Sequence, residues 1–189
     1  MLRIRPFVHG DEETYVKVYN EGFSTEEWWG TIDKPATITE ASNLDYDATF
    51  FAEVDGQTVG LVDIKNYGDE FHIENLVVLQ KFRRKGIGTK LLNEAINFSK
   101  SKGIKRIRAE IPVQSASKFY EKNSFKLIKH AFLVEIHDRT YIEPHLNKKL
   151  FFEGDNKYWV PSEKEMRFLR KLGVTVKTIA KFKVIIKQL

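Results

Sequence analysis

Residues 80 to 92 read QKFRRKGIGTKLL. Three cations, Arg83, Arg84 and Lys85, lead into Gly86, Ile87, Gly88 and Thr89, and a helix-like pattern follows. Like charges repel, so such a run is either a solvated turn or a place built for an anion. The glycines favour the anion. Between a strand and a helix, the amides from Arg84 to Thr89 open onto a helix N-terminus, where donors are unspent and the dipole is positive. The dipole alone gives a surface anion roughly 0.3–1 kcal/mol. That is too little for a multiply charged ligand, so the amides must bond it directly, and a Cβ in place of glycine would hold a pyrophosphate away. Arg84 and Lys85 add long-range attraction.

Other chemistries fit less well. A Walker loop needs GxxxxGK[ST], a spacing that does not occur. The dinucleotide fingerprint GxGxxG places Leu91 where its third glycine should stand. The pattern [QR]xxGx[GA] is met by Arg83, Gly86 and Gly88. His9, His72, His130, His137 and His145 have no metal-ligand spacing, there is no cysteine, and no GxSxG occurs. No metal site is expected.

The elements that must hold this turn follow from periodicity. LRIRPF alternates as a strand, DEETYVKVYNEGF places Tyr15, Val18 and Tyr19 at helical spacing, and residues 24–47 read as loop and short helix. The next two strands form a hairpin on Asp55-Gly56. EFHIENLVVL is the strand before the turn. Ile87, Leu91, Leu92, Ala95, Ile96 and Ser99 mark one helix face, with Gly103 ending it. IKRIRAEIPV, QSASKFYEKN and FKLIKHAFLVEI follow as strand, helix and strand. KLFFEGDNKYWV reads as a second hairpin, SEKEMRFLRKL as a helix, and an alternating strand closes the sequence. The order predicts an α/β fold with a mixed sheet.

Residues 139–189 hold 12 Lys+Arg and 5 Asp+Glu, a balance of +7. Against a net charge of +5, the first 138 residues therefore carry −2. The expected division is residues 1–138 as one domain and 139–189 as a basic extension of hairpin, helix and strand. That extension could be a nucleic-acid surface, but Phe168 and Phe182 are expected to face the core, which leaves few aromatics for base stacking. Its plainest role is structural, its apolar face covered by the domain or by a second copy in a homodimer. No apolar run precedes the first acids and none is long enough for a membrane span, so neither signal peptide nor membrane is expected. A cysteine-free chain fits a reducing, cytoplasmic compartment.

LVVLQKFRRKGIGTKLL resembles motif A of the GNAT superfamily of N-acetyltransferases, where Leu-x-Val-x-Pro-x-Tyr-Arg-Gly-x-Gly-Ile-Gly is common. Leu76, Val78, Arg83, Gly86, Ile87 and Gly88 match. Gln80 replaces proline, Phe82 tyrosine and Arg84 the first glycine. ASKFYEKNSF resembles motif B through Ala116, Phe119, Tyr120, Glu121, Lys122 and Phe125. Ser124 stands where glycine is usual, and Val113 where asparagine is frequent.

The resemblance covers residues 1–137 and implies a GNAT-like mixed, splayed central sheet flanked by helices, with residues 139–189 as a C-terminal αβ extension. It implies acetyl-CoA as cosubstrate and direct transfer of an acetyl group to a primary amine. A non-catalytic acyl-CoA-binding protein, or a nucleic-acid-binding regulator using the basic tail, is the alternative. Pyrophosphate would lie on Arg83, Arg84, Lys85, Gly86, Ile87, Gly88 and Thr89, and pantetheine would pair with Leu76, Val77 and Val78. Tyr120 stands at the general-acid position. An amine of pKa roughly 10.4 needs a base near neutral pH, and Glu74 or Glu110 could act through water. The acceptor is expected to be a small molecule or peptide amine, cationic because residues 24–47 hold six acids, one lysine and Trp28-Trp29.

Overall fold

A computed structural model describes residues 1–26, 35–112, 116–136, 151–154 and 157–189. Trp28, Trp29, Val113, His137 and His145 lie outside them. The chain forms two compact units, Met1–Ala109 with Lys187–Leu189, and Glu110–Ile186.

In the first unit, strands β1 (Leu2–Pro6), β2 (Thr49–Val54), β3 (Gln57–Asn66) and β4 (Phe71–Val78) pair antiparallel in chain order. The β2–β3 turn uses Asp55 and Gly56, both at positive φ, as a two-residue hairpin requires. Successive strand residues point to opposite faces, so Phe50 and Phe51 serve different layers. Phe51 packs with Phe7, Tyr15, Val18, Tyr19, Leu61 and Val77, on the side of α1 (Glu12–Phe23) and α2 (Ile38–Ser42). Phe50 meets Phe98 of α3 (Ile87–Ser101), edge to face at 5.6 Å. All six residues predicted for the inner face of α3 are buried. Leu91, the residue that broke the dinucleotide pattern, is fully buried, and a Cβ on Gly60 would stand 3.2 Å from its Cδ1.

Crossover through α3 makes the next strand, β5 (Arg106–Pro112), parallel to β4. The registered pairs are Phe71, His72 and Ile73 with Ile107, Arg108 and Ala109. β4 continues to Val78. The registered pairing thus ends at Ile73, five residues before the end of β4, as the expected splay requires.

In the second unit, β6 (Lys126–Glu135) pairs antiparallel with β9 (Lys177–Gln188) on one edge and β8 (Lys157–Val160) on the other, and β8 pairs with β7 (Phe151–Gly154). Helix α4 (Ser117–Lys122) precedes β6, and α5 (Glu163–Lys171) follows β8. Ser162 Oγ caps α5 by accepting the Lys164 amide. Met166 and Leu169 of α5 join Phe132, Val134, Ile136, Val160 and Val174 in a core. This compact unit runs from Glu110 to Ile186 and keeps β6 with its partners β8 and β9. Phe182 is buried as expected. Phe168 is 38% exposed, because the spacing that turns Met166 and Leu169 inward turns it out.

Candidate active site

The turn between β4 and α3 is shaped by two residues in the left-handed region, Arg84 at φ 65° and Gly86 at φ 79°. Gly86 is the N-cap of α3 and brings no capping side chain. The Lys90 amide makes the first bond back, to Gly86 O at 3.1 Å. The amides of Ile87, Gly88 and Thr89 thus precede the first intrahelical acceptor. Arg84, Lys85 and Lys90 are exposed. Lys81 and Lys85 each hold Nζ 5.4 Å from the centroid of Phe82, the ring standing for the family's tyrosine.

Arg83 does something different from its neighbours. Its Nε donates to Val78 O at 2.8 Å, and Nη2 donates to Gly22 O at 2.8 Å and to Thr25 Oγ1 at 3.2 Å. Nη1 lies 3.1 Å from Glu26. The guanidinium thus ties the end of β4 to the C-terminus of α1 and braces the backbone of the turn. Gly22 lets the two elements touch, since a Cβ there would stand 2.2 Å from Val77 Cγ2.

Beside the turn, β4 carries a bulge. Asp63 opposes Asn75 and Ile64 opposes Ile73, leaving Glu74 as the extra residue. A bulge bends its strand and re-aims side chains. Here it coincides with the end of the β4–β5 pairing, and Glu74 is exposed at that point. Leu76–Val78 keep their partners on β3. Their other edge extends past the registered β5 pairs, free of a β5 partner among the described residues.

Under the bulge lies a polar trio that periodicity did not reveal. Asp63 is 3% exposed. Its Oδ2 accepts from Tyr15 Oη at 2.8 Å and its Oδ1 from Asn75 Nδ2 at 3.3 Å, and Asn75 Nδ2 also lies 3.4 Å from Tyr15 Oη. Burial pushes the Asp63 carboxyl up to about 7, its two hydrogen bonds oppose this, and the charge of Glu74 adds to it. Desolvation, then the Asp63 charge, push the Tyr15 phenol far above its ordinary range. The one sequence signal was an acid inside the apolar run of GLVDIK.

Glu110 and Tyr120 belong to the second unit. Glu110 is half-buried on β5, on the face opposite buried Ile111. Tyr120 is buried, its ring edge-on to Phe119 at 5.1 Å and Phe125 at 5.2 Å. Burial raises its pKa, so the phenol stays protonated. Ser124, where the family favours glycine, has φ 67°.

Two expectations about charge meet local uses. Of the acids in 24–47, Glu26 pairs with Arg83, Glu40 closes a capping box with Thr37, and Asp45 accepts the Asp47 amide. In the basic tail, Lys177 pairs with Glu135, Lys181 with Glu163, and Lys183 donates to Ser117. Among the described residues no group of three or more His, Cys, Asp or Glu could hold a metal ion, and no helix is long and apolar enough to cross a membrane.

The family model described as "Acetyltransferase (GNAT) family" matches residues 11–125. The chain belongs to this family. It is 36% identical over 94 residues to "Probable N-acetyltransferase camello" of Xenopus laevis, an alignment covering 46% of this chain and 43% of that protein. The chain thus matches less than half the length of that curated relative. Among solved structures, Ard1 from Thermoplasma volcanium superposes with a TM-score of 0.63 at 15% identity, covering all of this chain and 97% of its own. The PaiA N-acetyltransferase from Thermoplasma acidophilum, in complex with coenzyme A, gives 0.58 at 19% identity, covering 86% and 98%. These likenesses show the GNAT fold.

Proposed function

We propose that this GNAT protein is an acetyl-CoA-dependent N-acetyltransferase that passes an acetyl group directly to a primary amine. The observation that carries this is the end of β4–β5 pairing at Ile73, with β4 running on to Val78 and into an uncapped helix start. An extended pantetheine arm suits the first feature and a pyrophosphate the second. Leu76, Val77 and Val78 would offer backbone groups to the arm. The amides from Arg84 to Thr89 would hold the pyrophosphate, with Arg84 and Lys85 adding charge and Arg83 bracing the turn. Acetyl-CoA would supply a thioester as acyl donor. Glu74 or Glu110 takes the proton the amine sheds, through water, and Tyr120 returns one to the departing sulfur. The acceptor is read as a small or peptide amine. The acids of 24–47 that serve caps and the Arg83 pair weaken the case for a cationic one.

Calorimetry with acetyl-CoA tests the reading. Wild type should bind one molecule per chain, and Gly88→Glu should bind at least about a hundredfold more weakly, since it sets bulk and negative charge against the pyrophosphate. Equal binding by the two proteins would remove the motif A assignment.

A further inference from the structure

The trio beneath the β4 bulge has a fixed sense. Tyr15 spends its proton on Asp63 Oδ2, so its oxygen can only accept from Asn75. The Asp63 carboxylate is an acceptor too. Both neighbours of the Asn75 amide therefore demand its nitrogen, which places its oxygen on the opposite side. Asp63 and Tyr15 are each 3% exposed and Asn75 is half-buried, so that opposite side is the outer one. Among the described residues, no hydrogen bond reaches Asn75 Oδ1. The residue stands between exposed Glu74 and Leu76, at the release of β4 from β5.

A buried carboxyl with no cation is costly to keep, and one held by two neutral donors beneath a strand bulge is a candidate for a functional role. We propose that Asn75 receives the acceptor amine, accepting its N–H on an amide oxygen that Asp63 and Tyr15 hold outward. The inference rests on the acetyltransferase reading. Asn75 is then a residue that touches substrate, and Asp63 and Tyr15 are positioning residues.

The arrangement reverses with one proton. A proton on Asp63 Oδ1 faces Asn75, which can accept it only by turning its oxygen inward. A proton on Oδ2 displaces that of Tyr15, whose other neighbour is again Asn75. Either way the amide presents nitrogen outward, and an acceptor becomes a donor. The groups facing Asp63 are Tyr15 from α1 and Glu74 and Asn75 from β4. Its β2 partner, Thr49, does not titrate. Since burial pushes the carboxyl up to about 7, the reversal falls in the neutral range.

Steady-state acetylation of spermidine, tyramine and a short peptide with a free N-terminus, followed by thiol release, tests this. Asn75→Ala should raise the amine KM about tenfold and leave the acetyl-CoA KM within about twofold. Asp63→Asn should do the same, and the double variant should be no worse than either single, because Asp63 acts through Asn75. In wild type the Asn75 side-chain amide, identified by its loss in Asn75→Ala, should shift in ¹⁵N NMR spectra with a midpoint near neutrality. In Asp63→Asn it should not shift. An active wild type whose variants keep their amine KM, or whose single effects multiply in the double, overturns the role of Asn75 alone. A wild type that acetylates none of the three amines overturns the acetyltransferase reading and the amine's role with it. Should Asp63→Asn not fold, a wild-type Asn75 signal that is flat across neutral pH is enough to overturn the inference.

Discussion

At the scale of single residues, the two departures from the family's glycine pattern tell the most. Arg84 and Ser124 stand where glycine is usual, and both adopt positive φ. The backbone kept the shape and gave up the residue that adopts it freely. A non-glycine residue there carries roughly 1–2 kcal/mol of strain. Glycine would relieve it but loosen the unfolded chain by about 0.4–1 kcal/mol. Relief of strain outweighs the added freedom of the unfolded chain, so Arg84→Gly and Ser124→Gly should each stabilise by about 0.5–1 kcal/mol, raising Tm by about 2–4 °C per kcal/mol. The melting curve of the double variant should show the two gains adding, since the sites belong to different compact units. Arg84→Gly should also weaken acetyl-CoA binding, having removed a cation. Tyr120 makes the opposite test, of chemistry without shape. Tyr120→Phe keeps the ring against Phe119 and Phe125 and removes only the hydroxyl. If that hydroxyl protonates the leaving sulfur, kcat should fall on the order of 10²–10⁴-fold with acetyl-CoA affinity unchanged. A wild-type kcat would return Tyr120 to packing alone. Glu74→Gln and Glu110→Gln separate the two candidate bases. The true one should lose rate at neutral pH and recover as rising pH frees the amine.

At the scale of elements, the tail from Arg139 to Leu189 is expected to be structural, and β6 says why. Removing it would strip β8 and β9 from β6 and uncover Phe132, Val134 and Ile136, which lie in one core with Met166 and Leu169. At roughly 1.5–3 kcal/mol per large apolar side chain and about 2–4 °C per kcal/mol, truncation at Arg139 should lower Tm by more than about 10 °C or abolish soluble expression. A truncated protein with the wild-type melting curve and wild-type activity would make the tail an accessory. What the sequence made legible divides along the same line. The inner face of α3 was readable in full because a helical period leaves a stripe, and the Asp55-Gly56 turn because its chemistry is local. The bulge at Glu74 was not readable, since no glycine or proline marks it and it exists only as a register between β3 and β4. Nor was the Arg83 brace, whose acceptors on Gly22 and Thr25 lie some sixty residues upstream. An arginine beside two more cations looks like part of their charge until its partners are known. The turn was found by its pattern, and the roles within it by geometry.

At the scale of the whole molecule, buried Asp63 gives the stability a dependence on pH that one substitution should isolate. Its carboxyl ordinarily titrates at 3.8 and is pushed up to about 7 in the fold. A raised value means that the folded chain prefers the protonated form. The advantage is complete below 3.8. It is lost as pH rises toward 7, because the unfolded chain gives up its proton first. The rise of about three pH units, at 1.36 kcal/mol each, amounts to on the order of 4 kcal/mol between those limits. Other groups pull the other way. Asp11, for one, is held below its ordinary value by its hydrogen bond to Arg5, so its contribution is lost in acid. The wild-type curve alone therefore mixes opposing slopes. Asp63→Asn cancels the common part. The variant keeps the side chain's shape, cannot ionise, and leaves every other group in place. Its stability minus that of wild type should grow as pH rises from about 4 to about 7 and then level off. The sign of that change does not depend on what the amide loses in hydrogen bonding, which offsets the whole curve by a constant. Urea melts of both proteins at intervals across this range measure the difference directly. A difference that stays flat, or that shrinks as pH rises, would place the Asp63 carboxyl at an ordinary value and leave the trio without its titration.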